Sequence, residues 1–505
     1  ALVSDLRAGV SGSGATGFTI YNDKLYFKAD IDDSLAVELY VYDADFGSIN
    51  LVKDINVGSG ASNPQDLIVF DNKLYFQADD GVNGQELWVY YSVDNTALLA
   101  ADFIDPGNGS PTNFVAYSNN LYFQANDDAN GQEFWRYNSA DGAVLVANIQ
   151  TGVSGSSPHT PFVYNDQLYF SATTSGHGRE LWRYDPTNDS AGLLYEFNPD
   201  GADASPAFFV SDGQYLYFSA TSDDGSNIWQ YDSIGDDFSV AADVRDGTYD
   251  SSPSDFVVYG EDLYFQATAA EFGSELYVYS REDEEVELVA DIRTGTSGSS
   301  PQFITLYDDK LYFSATEGVT GFELWRYDSG KGKAELAVDI NDGGSSFPKL
   351  LTLYGDKLYF IANSANHGQE LHVFDATKST VTRLTDIAVD SAGSEIESLT
   401  VFNGKLYFVA NDGVAGDEIW AYDQETGKVF LAVAAPDSGS ITPEYLTVYQ
   451  GKLYFQGEDE ELDGSLYSWD EIDGLVSLGT ENNPSYYSNL YAFNDKLFFQ
   501  GYTAD

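Results

Sequence analysis

The chain has 505 residues, 43% of them hydrophobic and 15% aromatic, with 81 acidic against 23 basic side chains and a formal net charge of −58. With 37 Tyr and 32 Phe it carries far more apolar material than a disordered acidic chain, so it reads as a folded protein with an acid-coated exterior. That charge argues against nucleic acid and anionic membranes as partners, because both are bound by Lys and Arg.

No Cys is present, which excludes disulfides, thiolate metal sites and cysteine nucleophiles. No Met is present either, so Ala1 is expected to follow processing or to open a fragment. No apolar run approaches the roughly 18 residues that span a bilayer, and no signal peptide is seen.

The opening Ala1-Leu2-Val3-Ser4-Asp5-Leu6 matches the last strand of a repeating unit, as in Leu51-Val52-Lys53-Asp54-Ile55 and Leu288-Val289-Ala290-Asp291-Ile292. A phrase beginning Leu-Tyr-Phe then starts at Leu25, Leu74, Leu121, Leu168, Leu216, Leu263, Leu311, Leu358, Leu406 and Leu453, and its first half returns at Leu497. Consecutive starts lie 44 to 49 residues apart, a period that marks one supersecondary unit used many times.

Each unit reads as four strands, A to D. Tight polar pairs such as Asn165-Asp166 and Asn403-Gly404 tolerate positive φ and join A to B as a hairpin. Strand B is apolar on both faces. A turn such as Asn411 to Gly416 leads to strand C, Glu418 to Asp423, and a second polar turn leads to D. Gly/Ser-rich loops such as Gly298-Ser299-Ser300-Pro301 then connect to the next unit.

Four antiparallel strands in about 48 residues, with no helical pattern, predict an all-β fold: a β-propeller of four-stranded antiparallel blades. Ten full repeats and a partial eleventh are expected, the last closed by the N-terminal strand. One array over residues 1–505 is the main reading, and two consecutive five-bladed propellers splitting near 240–290 is the alternative. The partial blade also leaves room for self-association by strand addition.

The phrase in Gly178-Arg179-Glu180-Leu181-Trp182-Arg183-Tyr184-Asp185 and Gly321-Phe322-Glu323-Leu324-Trp325-Arg326-Tyr327-Asp328 resembles the ELWxxDGT repeat of large bacterial secreted and surface proteins. The Gly-Thr that follows the Asp in that repeat is absent here. The strand order is similar to that of kelch-like and quinoprotein-like propellers. The resemblance implies a propeller and an extracellular or cell-surface setting, and no defined activity.

Carboxylates in and after the B–C loops form the candidate metal set: Asp80 and Glu86, Asp128 and Glu133, Asp412 and Glu418. Two readings stand. Asp-Gly pairs are ordinary turn formers, and oxygen ligands at this spacing could serve Ca²⁺, the one cofactor expected. All seven Trp lie in strand C, six at one position and Trp469 two residues later; Tyr40, Tyr277 and Tyr467 hold the position elsewhere, which suits a flat ring wedged between blades better than a sugar platform. His177 and His367 occupy equivalent loops, while His159 and His372 lie elsewhere, without the convergence a metal or triad needs.

The function expected from these features is a non-catalytic extracellular binding or scaffold propeller, a module of a larger adhesin-like protein with a glycan or a protein surface as ligand. The alternatives are a polysaccharide-active enzyme with an acidic pair on the axis and a structural subunit of a filament or sheath.

Overall fold

A computed structural model describes residues 13–30, 36–43, 46, 48–104, 107–244, 251–388, 393–434, 441–449, 451–457, 465–478, 486–493 and 496–502. Every regular element among them is a β-strand. Ten four-stranded antiparallel sheets follow one another in A–B–C–D order, and a two-stranded hairpin comes last. The fold class is therefore the expected one, a β-propeller of ten full blades and a partial eleventh. The N-terminal strand expected to complete the eleventh falls on residues 1–12, outside the described residues, and no described sheet joins the two ends of the chain.

The blade built from Gln302–Tyr307, Lys310–Thr316, Phe322–Asp328 and Lys333–Val338 shows how sequence sets the unit. Asp308 and Asp309 both take positive φ (48° and 51°) in the A–B turn, as a two-residue hairpin matched to strand twist requires. Strand B follows with Leu311, Tyr312 and Phe313 fully buried. It pairs with strand C in the order Leu311–Tyr327, Tyr312–Arg326, Phe313–Trp325.

Both faces of these central strands meet neighbouring blades, so polar/apolar alternation is lost. One core layer gathers Tyr264 and Leu276 of one blade with Leu311, Phe313, Trp325 and Tyr327 of the next. Trp182 and Trp325 lie in such layers, only 9% and 8% exposed.

Consecutive blades are also joined by a repeated hydrogen bond. The Tyr that ends strand A donates its hydroxyl to a carbonyl in the next blade's A–B turn. Tyr21 reaches Asn72 at 2.6 Å, Tyr117 reaches Asp166 at 2.7 Å, and Tyr259 and Tyr307 reach Asp309 and Asp356 at 2.8 Å. Tyr354 makes the same bond to Gly404.

The chain divides into two compact units. The first comprises Ala1–Glu196, Asp200–Asp203 and Glu444–Asp505, and the second Phe197–Pro199 and Ala204–Pro443. In the first, the A strands Glu444–Tyr449, Tyr486–Phe493, Thr16–Tyr21, Gln65–Phe70, Thr112–Tyr117 and His159–Tyr164 neighbour one another in that order. In the second the sequence runs Ala207–Ser211, Ser254–Tyr259, Gln302–Tyr307, Lys349–Tyr354 and Glu397–Phe402. Residues 240–290 lie inside the second unit. Among the described residues no helix is long and apolar enough to cross a membrane.

Candidate functional site

Strand A is an edge strand in every blade, and it is irregular at one recurring place. The A–B pairing slips between Gln65 and Ile68, between Ser254 and Val257, between Gln302 and Thr305, and at the equivalent point of the other blades. Such bulges re-aim a side chain away from the ladder. The second strand residue takes positive φ whatever its type: Gly17 (70°), Asp66 (53°), Asn113 (59°), Thr160 (47°), Phe208 (57°), Asp255 (55°), Phe303 (59°), Leu350 (53°) and Ser398 (59°). For a non-glycine residue this conformation is unfavourable by about 1–2 kcal/mol.

The bulge position looks into open space. A Cβ placed on Gly17 would meet nothing within 4 Å, and Phe208, Phe303 and Leu350 are 64%, 46% and 42% exposed. Neighbouring A strands still touch across it. The Phe208 and Phe256 rings meet edge-on at 6.2 Å, and the Asn113 amide lies 3.2 Å from Nδ1 of His159.

A cavity with an acid at the bulge lies along this edge in each unit. In the first unit, about 330 Å³ is lined by Asp66, Leu67, Ile68, Asn113 and Phe114. In the second, about 280 Å³ is lined by Asp255, Phe256, Val257, Phe303, Ile304, Thr305, Leu350 and Leu351. Both carboxylates open onto solvent, yet the surrounding protein raises both above the usual Asp range by desolvation; Lys28 partly offsets this for Asp66.

The carboxylates singled out for metal binding fall into two groups, one in the turns and one in strand C. Asp80 accepts from the Val82 and Asn83 amides at 2.9 and 2.7 Å and from the Asn83 side chain at 2.7 Å, closing its own turn. Asp412 does the same with the Val414 and Ala415 amides at 2.7 and 2.6 Å. Asp128 is exposed, and its neighbour Asp127 caps that turn instead.

Glu86, Glu133 and Glu418 are buried in strand C. Glu86 accepts from the amides of Phe103 and Gly109 at 2.9 and 2.7 Å. Glu133 accepts from those of Ile149 and Gln150, both at 2.9 Å, and from the Ser156 hydroxyl at 2.6 Å. Shells of N–H and O–H donors hold a carboxylate in place, whereas Ca²⁺ wants six to eight oxygen ligands. Among the described residues no three His, Asp or Glu side chains converge as a metal group would need.

These glutamates are a latch that the residue patterns above did not reveal. Glu38 holds Ser62, Glu275 holds Ser299, Glu323 holds Ser346 and Glu370 holds Ser394, so strand C of each of these blades grips the loop that leads into the next strand A. The available signal was a Ser 23 or 24 residues after the Glu of the repeat phrase. Burial, opposed by these hydrogen bonds, pushes Glu86, Glu275 and Glu323 up to about 7.

The histidines divide similarly. Nδ1 of His177 meets Glu196 at 2.5 Å and Nδ1 of His367 meets Asp386 at 2.9 Å, two equivalent loop ties. His372 takes the Trp position of its blade and stacks on Phe360, where burial lowers it to about 4. Five of the seven tryptophans, Trp88, Trp182, Trp229, Trp325 and Trp469, are under 10% exposed and offer no sugar platform, while Trp135 and Trp420 are half-buried.

No protein-family model matches the chain, and no curated protein matches it. Among solved structures, the β-propeller domain of the Trilobed protease from Pyrococcus furiosus is similar over 65% of this chain and 96% of that one, at 12% identity and a TM-score of 0.30. The tricorn protease is similar over 95% of this chain at 14% identity and a TM-score of 0.26, and this chain spans 46% of its length. A structure from an analysis of two prolyl endopeptidases covers 72% of this chain and 56% of its own, at 12% identity and a TM-score of 0.34.

The expectation of a non-catalytic module is corrected by these similarities. The structures named are of proteases and peptidases, so a non-catalytic role is not supported. At such low similarity they give no peptidase activity to this chain either.

Proposed function

We propose that this protein is a recognition propeller whose bulged A-strand edges bind a protein or peptide ligand carrying positive charge. The proposal concerns recognition and assigns neither catalysis nor its absence. One observation carries it. Blade after blade repeats the same four-stranded unit with its A–B hairpin turn, several adding a Tyr bond and a Glu–Ser latch, while the single bulge position that faces open space varies from Asp66 and Asn113 to Phe208, Phe303 and Leu350. A repeated scaffold with one variable, outward-aimed position per repeat is an arrangement for reading an extended partner.

Charge selects the kind of partner, since a net −58 steers cationic surfaces toward the molecule. Protein is favoured over glycan because most of the indoles are packed away while exposed aliphatic and phenyl groups line the edge. The resemblance to the ELWxxDGT repeat family and the acid-coated exterior support an extracellular, saline setting, with Ca²⁺ as counter-ion to that exterior in place of a ligand of the latched glutamates.

Arrays of basic, neutral and acidic peptides and of polysaccharides, probed with the 505-residue protein in calcium-containing saline, test this reading. Basic peptides should be retained, and retention should fall in Phe208→Ser and Phe303→Ser variants of unchanged melting temperature. Equal retention in the variants, or retention of polysaccharides alone, would overturn it.

A further inference from the structure

The second unit's cavity differs from a generic edge groove in its charge. Of its eight lining residues Asp255 alone is ionisable, and the others are apolar apart from Thr305. Three consecutive A strands contribute their bulge residues, Asp255, Phe303 and Leu350, all with φ between 53° and 59°. The site is therefore assembled from three blades that stack in sequence, inside one unit.

The carboxylate of Asp255 forms no hydrogen bond or ion pair among the described residues, and desolvation is the sole cause of its upward shift. The first unit's counterpart differs here, because Lys28 lies close enough to Asp66 to lower it. An acid placed at the mouth of an apolar cavity without an internal cation lacks only a cation from outside. A cation on an apolar stem would gain both the carboxylate and the phenyl walls, since ammonium groups are attracted to aromatic faces.

We propose that the Asp255 cavity is a socket for a primary ammonium group on an aliphatic stem, as a lysine side chain of a bound peptide presents it. The inference rests on the recognition reading above and names the chemistry of one pocket within it. Asp255 supplies the counter-charge, Phe303 and Phe256 the walls, and Leu350 and Leu351 the apolar floor for the stem. The cavity of about 280 Å³ lies just below the roughly 300 Å³ at which small-molecule sites begin, a size suited to one side chain.

The test is calorimetric titration of the whole protein with Nα-acetyl-lysine methylamide and with its neutral counterpart, Nα-acetyl-norleucine methylamide. The lysine derivative should bind at least about tenfold more tightly than norleucine, and Asp255→Asn should remove that preference. Asn accepts positive φ and preserves shape, so this variant keeps the fold, and an unchanged melting temperature confirms it. Asp66→Asn should leave the preference intact.

Equal binding of the two compounds, or a lysine preference that survives Asp255→Asn, would overturn the socket. If basic peptides are retained on the arrays while the lysine derivative shows no preference, the socket fails and the recognition reading stands. If the lysine derivative binds through Asp255 while no basic peptide is retained, the socket stands and the recognition reading fails.

Discussion

Glu323 shows most clearly what single residues contribute. Its two carboxylate oxygens take the amides of Ile340 and Ser346 at 2.7 and 2.9 Å and the Ser346 hydroxyl at 2.7 Å, with Glu323 and Ser346 themselves fully buried. Glu323→Ala leaves the Ile340 amide without this partner, while the Ser346 amide and hydroxyl keep the Phe322 carbonyl; a buried donor left unpaired is worth about 1–3 kcal/mol. The variant should lose about 1–3 kcal/mol in denaturant unfolding, and a loss under about 0.5 kcal/mol would show that the latch is not structural.

The same group links stability to pH. Glu86, Glu275 and Glu323 titrate near 7 in the folded chain against an ordinary value of 4.5. A raised folded-state pKa means that the folded chain binds more protons than the unfolded one between these values. The stability they contribute is complete below about pH 4.5 and is lost as pH rises through about 7. Melting temperature should therefore fall between pH 5 and pH 8, even in 1 M NaCl, where a Debye length of about 3 Å removes most surface repulsion. A flat profile at that salt would contradict the link.

At the scale of the strand, the A-strand bulge separates framework from site. Phe303 holds φ 59° while 46% exposed, so it endures an unfavourable conformation with little burial in return. Phe303→Gly should leave stability unchanged or raise it by up to about 1 kcal/mol, measured by thermal unfolding. Loss of a core phenylalanine typically costs about 3–5 kcal/mol, and a drop of that size would place Phe303 in the framework instead. Gly17, whose absent side chain faces open space, is the natural precedent.

The strand scale also shows why some features were legible and others were not. Hairpin turns announce themselves through residue type, because Asn165-Asp166 and Asn403-Gly404 belong to the few pairs that tolerate left-handed backbone. The bulge does not, because Asp255, Phe303 and Leu350 are forced into that conformation by blade geometry against their own preference. Tyr259 and Tyr307 read as apolar strand ends, since their bonds to Asp309 and Asp356 link residues about fifty positions apart. Glu86 and Asp80 looked like one acidic set because they lie six positions apart in sequence. The strand carries Glu86 into the blade interior while Asp80 stays in the turn.

Across the whole molecule, repetition and charge pull in opposite directions. Apolar layers join consecutive blades within a unit, reinforced at several junctions by Tyr bonds, while 58 excess negative charges repel one another. Raising salt from 0.01 to 0.15 M shortens the Debye length from about 30 to 8 Å and should raise the melting temperature. Basic-peptide binding should weaken over the same range, because the attraction is screened as well. Binding that is indifferent to salt would remove charge from the account of recognition.

Hydrogen exchange of the protein with and without a retained basic peptide tests the central claim most directly, because it reads where on a blade the partner lies. Added protection is predicted along the A strands, foremost at Ser254–Tyr259, Gln302–Tyr307 and Lys349–Tyr354. Protection confined to the outer D strands, such as Lys333–Val338, with the A strands unchanged, would contradict it.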